Sequence, residues 1–206
     1  SLYLAASSIA GGAPAPDLFV SQTAGRFDAL ASQILHDWSD VTEGRAGEAA
    51  SRRLSVSAGV SSHVLIHRAL VLEAAGMKTD AEGAYRAADA ALDLANYSAL
   101  ALGRFLERER RWDEARTVYD RQVARGRPDP EISAAIARAD RARRRPPAYT
   151  PAESAARALF PPAALFANAA PADHAILYLR MIQRLDPEFA RNTIFLASIL
   201  EEAGYQ

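Results

Sequence analysis

A chain of 206 residues with 50% hydrophobic and 24% charged side chains has the make-up of a folded protein and excludes a disordered one. Its net charge of −1 leaves no global field to steer it onto nucleic acid or an acidic membrane. The absence of cysteine removes disulfides, thiol catalysis and every cysteine-bearing metal site together.

Alanine, leucine, glutamate and arginine outweigh the β-formers, so the chain is expected to be helical throughout. The opening Leu2, Tyr3, Leu4 and Ala5 lack the positive lead of a signal peptide. The apolar stretch 1–15 is too short for a membrane span and is broken by Gly11, Gly12 and Pro14. The compartment stays open: exported or periplasmic in a bacterium, otherwise cytoplasmic. Both ends read like cuts through a longer protein, because Gly204, Tyr205 and Gln206 stop where a turn should lead into a partner helix. Residues 1–61 form an irregular first third. Gly25, Phe27, Ala29, Leu30 and Ile34 give a helical pattern, and 39–61 is a connection with one helix around Glu48 to Val56.

Two regular copies follow, over residues 62–127. Ala69, Leu72, Ala81 and Tyr85 recur 34 residues later as Gly103, Leu106, Ala115 and Tyr119. Gly103 and Ala115 are small where two helices approach, while Leu106 and Tyr119 fill the space beside them, so a large side chain at Gly103 should push its hairpin apart. Thr79 and Glu82 read as a capping box opening a second helix. Residues 128–150 are an insertion, with a helix from Asp129 to about Arg143 and an extended linker through Pro146, Pro147 and Tyr149. Thr150 and Glu153 cap a restart, and residues 151–206 hold a later repeat and a half repeat. Pro161 and Pro162 should kink or split its first helix. Ala175 and Leu179 restore the small and large positions, Asp186 caps, and Pro187 starts a last helix through Leu196, Ile199 and Leu200.

From Leu102, Gly103, Leu106, Trp112, Ala115 and Tyr119, the chain resembles the tetratricopeptide repeat, in particular uncharacterised proteobacterial proteins that carry it. The resemblance runs from about Ser62 to the end and departs from the family at Arg68 and Gln122. It implies a single right-handed α-solenoid of antiparallel helix-turn-helix units across residues 1–206, and a scaffold or adaptor for proteins.

The expected site is the inner face, where the first helices of successive repeats line a groove. By helical phase it presents His63, Ile66, Leu70 and Glu73, then Tyr97, Leu100, Arg104, Glu107 and Arg108. Arginine beside tyrosine suits a peptide segment or a carboxylate, through forked donors and a flat apolar ring. The alternative is a structural spacer or self-assembling subunit whose exposed end around Leu196, Ile199 and Leu200 pairs with a second copy. A small molecule held between helices is a third reading. His63 and His67 stand four apart as two metal ligands would, but no third ligand accompanies them, so two groove histidines are expected and no metal. The run Arg138, Arg141, Arg143, Arg144 and Arg145 beside Tyr149 complements a helix C-terminus, and nucleic acid is not expected as a partner. No elbow, glycine-rich loop or paired nucleophile is present, so neither catalysis nor a cofactor is expected.

Overall fold

The computed structural model describes residues 2–15, 26–54, 62–91, 95–126, 129–141, 145–167 and 171–204. The positions expected to bound elements at Gly25, Val56, Arg143 and Arg144 lie outside them, as do Tyr205 and Gln206. The described residues form α-helices with no strand among them. In chain order these are α1 (Leu2–Ala10), α2 (Arg26–Thr42), α3 (Ala46–Ser51), α4 (Leu65–Ala74), α5 (Lys78–Ala90) and α6 (Ala95–Arg108). There follow α7 (Trp112–Ala124), α8 (Pro130–Arg141), α9 (Pro151–Ala167), α10 (Ala172–Leu185) and α11 (Ala190–Glu202).

The 34-residue spacing is visible in how helices end. After α4 the Met77 N–H donates to the Leu72 carbonyl at 2.9 Å, and after α6 the Arg111 N–H donates to the Leu106 carbonyl at 2.9 Å. Each is the six-to-one bond of a Schellman turn, which needs a left-handed residue just before it. Gly76 supplies it at φ 74°, whereas Arg110 supplies it at φ 61° with a side chain attached. That side chain costs about 1 kcal/mol relative to glycine.

Neighbouring helices pack in sequence: α4 on α5, α5 on α6, α6 on α7, α7 on α8, then α9 on α10 and α10 on α11. The later helices also return to the first ones, since α9 lies on α2 and α4, and α1 lies on α10. An open array touches only next neighbours. Here Phe27, Phe166 and Tyr178 stack across α2, α9 and α10, and Tyr178 Oη donates to Asp28, 150 residues away. The core runs through the whole set, with Ile34, Trp38, Tyr85, Phe105, Tyr119 and Leu159 each under 2% exposed.

Polar groups fix the joint between the first third and the regular copies. Arg52, just past α3, holds Asp37 at 2.6 Å and also Asp40, while His67 Nε2 meets the other Asp37 oxygen at 3.0 Å. Burial raises the pKa of Asp40, but hydrogen bonds from Arg52 and Arg45 outweigh it, and the carboxyl stays below its ordinary range.

Several local expectations are corrected. The Thr150–Glu153 capping box is present, with reciprocal bonds of 2.7 and 3.2 Å. That at Thr79 is not: α5 starts at Lys78 without a side-chain cap, and Glu82 is drawn instead to Arg86 one turn along α5 and to Arg111 of the next hairpin. Asp186 accepts the Glu188 N–H at 3.1 Å, yet α11 starts at Ala190 and not at Pro187. The helix expected around Glu48 to Val56 is the shorter α3.

Most informative is α9, which runs unbroken through Pro161 and Pro162. Proline at 161 has no N–H for the carbonyl four residues back, that of Arg157. Tyr97 Oη from α6 donates to that carbonyl at 2.7 Å. A side chain 60 residues away thus meets the acceptor the proline frees, and the helix continues.

Candidate functional site

Five of the expected groove residues meet at one cavity, and the chain itself takes up Glu73, Glu107 and Arg108. Glu107 is wholly buried: it accepts Tyr119 Oη at 2.7 Å from α7, and Arg138 of α8 donates to both its oxygens at 2.8 and 2.9 Å. One repeat earlier, Glu73 accepts Tyr85 Oη at 2.8 Å from α5, and Arg108 of α6 donates to both its oxygens at 2.6 and 2.7 Å. These are two copies of one clasp. A glutamate on the first helix of a hairpin takes the tyrosine of the second helix and a forked arginine from the following helix. Glu73, Glu107 and Arg108, read from phase alone as groove residues, therefore tie hairpins together.

Burial sets the tyrosine chemistry. Tyr119 is pushed up first by burial and then by the Glu107 charge, and Tyr85 likewise by burial and Glu73. Burial raises Tyr97 and Tyr178 too. The folded chain holds these phenol protons more tightly than the unfolded chain does. Their stabilising contribution is whole below the ordinary tyrosine pKa of about 10 and is lost as pH rises beyond it. Absorbance at 295 nm should accordingly show these four tyrosines ionising together with the loss of helical circular dichroism. Their gradual ionisation while the helices persist would contradict the clasps.

Of the remaining expected residues, His63 is 8% exposed and sits beside Ser62, outside the cavity described next. His67, expected in the groove, is 2% exposed and committed to Asp37. No group of three or more metal-binding side chains occurs among the described residues. Ile66, Leu70, Tyr97, Leu100 and Arg104 come together in one cavity of about 270 Å³ between α4, α6, α8, α9 and the turn before α11. Its inner wall is buried Ile66, Leu70, Tyr85, Tyr97 and Phe189; exposed Ala134, Glu188 and Ala190 form the mouth.

Tyr149, carried in by the extended linker, closes one side. The Arg157, Arg104 and Arg108 guanidinium carbons lie 3.9, 4.5 and 5.5 Å from its ring centre. These cations differ in their commitments. Arg108 is held by Glu73, Arg157 by Asp186 at 2.6 Å, and Arg138 by Glu107. Arg104 has no carboxylate partner among the described residues, and its Nε is buried with no acceptor. Of the basic run, Arg138 is spent in a clasp, and Arg143 and Arg144 lie outside the described residues. A second cavity of about 360 Å³ beside α2 and α3 has Asp37 and Arg52 in its wall, spent on each other, with exposed Arg53 beside them. No helix among the described residues is long and apolar enough to cross a membrane.

Of the residues grouped by phase, Ile66, Leu70, Tyr97, Leu100 and Arg104 line this cavity and His63 does not. Its further walls, Tyr149, Arg157 and Phe189, arrive from 45 or more residues along the chain, beyond the reach of helical phase; the Arg and aromatic content of 149–157 is their trace in the sequence. No family model matches the chain, and neither do any curated protein or solved structure.

Proposed function

We propose that the chain is an interaction scaffold: a right-handed, tetratricopeptide-like array whose inner face docks a protein or peptide segment at the cavity around Arg104. The observation that carries this reading is the convergence of five groove residues on an opening where one of the lining arginines, Arg104, has no carboxylate partner among the described residues. The recurrence of turns and clasps at one 34-residue spacing supports the array. A docked segment would stack on the apolar wall and direct an acceptor at Arg104.

Arg104→Glu should leave the fold intact and remove a partner that co-purifies with the wild-type chain. Arg108 is left in place in this test because it is itself buried and paired with Glu73. Retention of every partner by the folded Arg104→Glu chain would sink the reading. A second reading, a self-assembling subunit, is favoured by Leu177 and Ile194, which are 55% and 69% exposed on α10 and α11. Leu196, expected at a bare end, is buried instead. Sedimentation across a concentration range separates the two, since only the second predicts concentration-dependent association.

A further inference from the structure

The cavity has a size and chemistry of its own, whether or not a protein partner also docks there. Its space of about 270 Å³ is below that of a drug-sized pocket and suits a body no larger than one ring or a short branched chain. The wall that such a body would meet is apolar or aromatic: Ile66, Leu70, Tyr85, Tyr97 and Phe189. Two of the phenols are not available as donors to a guest, since Tyr85 Oη is used on Glu73 and Tyr97 Oη on the Arg157 carbonyl. Polar recognition therefore falls to the guanidinium groups and the Tyr149 hydroxyl.

Their arithmetic is restrictive. Arg138 and Arg157 line the cavity but are already neutralised by Glu107 and Asp186. Glu131 at the mouth is matched by Arg191 at 3.0 Å from its Nε. Arg104 is the lining cation without an acid on it, its guanidinium carbon 4.5 Å from the Tyr149 ring centre, while Glu188 at the exposed mouth is a lining acid without a cation on it among the described residues. A guanidinium stacked by its face keeps its N–H edge for an acceptor lying in its plane, and a carboxylate matches that edge. The buried Arg104 Nε without an acceptor marks the same need. A dianion such as phosphate asks for several uncommitted donors and is poorly served by an apolar wall. A cationic guest would meet Arg104 unfavourably.

We propose that this cavity binds a small monocarboxylic acid with a single-ring or branched aliphatic body, its carboxylate on Arg104 and its body against Tyr97 and Phe189. The binding is reversible and involves no covalent step.

Isothermal titration calorimetry of the purified chain with phenylacetate, benzoate and 4-methylvalerate tests it, with phenylacetamide as the neutral match and inorganic phosphate as the general anion. At least one acid should bind about tenfold or more tightly than the amide and the phosphate, as a charge-assisted bond predicts. Arg104→Gln should abolish that preference, and Arg104→Lys should recover part of it. Ala134→Trp, at an exposed mouth position outside the core, should block all binding while leaving the thermal midpoint unchanged. No heat from any of the three acids, equal binding by amide or phosphate, or undiminished acid binding by Arg104→Gln would each overturn the proposal. Because these titrations use no protein partner, their failure leaves the docking of a protein segment to be decided by co-purification alone.

Discussion

Replacing Glu107 by alanine is expected to lower the unfolding free energy by about 3–5 kcal/mol, the usual loss when one member of a buried ion pair is removed. The carboxylate is 0% exposed and is the shared acceptor for Tyr119 and Arg138. Without it a buried phenol loses its acceptor and a guanidinium between α6 and α8 loses its counter-charge. Glu107→Gln keeps the shape and one carbonyl acceptor and should lose less. Glu73→Ala, in the other clasp, should lose a comparable amount: the Glu73 side chain is 21% exposed, but its removal leaves the Arg108 guanidinium, 3% exposed, without its counter-charge. Urea unfolding at neutral pH ranks the three. A loss below about 1 kcal/mol for Glu107→Ala would mean the buried pair only offsets its own desolvation.

The second large effect is expected at Gly103. A Cβ built there falls inside the Tyr119 ring, 2.5 Å from its Oη and closer still to two ring carbons. The ring cannot swing aside cheaply, because it is 0% exposed and its hydroxyl is tethered to Glu107. Helix propensity alone would favour alanine by about 1 kcal/mol. Overpacking of a filled interface costs about 1–3 kcal/mol and more where nothing can yield. Gly103→Ala should thus be destabilising by at least about 2 kcal/mol, a fall in midpoint of roughly 4–8 °C for a chain of this size. Gly103→Leu should not fold. In a Tyr119→Leu background, Gly103→Ala should become neutral or favourable. A gain in stability from Gly103→Ala in the wild-type chain would show that α6 and α7 do not approach as described.

How far these features can be read from sequence depends on their range along the chain. Gly103 and Tyr119 were legible because small and large residues recur at one spacing, and a hairpin brings them together over 16 residues. The turns after α4 and α6 follow from the same spacing, although Arg110 stands where the earlier copy has Gly76 and hides the left-handed position. Phase grouped Glu73, Glu107 and Arg108 as open groove residues and misjudged what covers them. Their partners, 31 and 35 residues apart, sit on following helices, and no periodic rule says which charge will meet which. The recurrence of Glu73 and Tyr85 as Glu107 and Tyr119 was the trace that pairing left in the sequence. Pro161 shows the same limit from the other side. The local rule is sound, since the N–H is missing, and the outcome is decided by Tyr97 from a different helix.

The arginines around Tyr149 thus divide into two that hold the fold and one that does not. Arg104 and Arg108 stand one turn apart on α6 and touch the same tyrosine ring. Arg108 is 4% exposed and clasps Glu73, while Arg104 faces the cavity without a carboxylate. Urea unfolding of Arg104→Ala and Arg108→Ala, measured side by side, tests that division most directly. Arg108→Ala should lose about 3 kcal/mol or more, and Arg104→Ala should stay within about 1 kcal/mol of the wild-type chain. Equal losses at the two positions would contradict it.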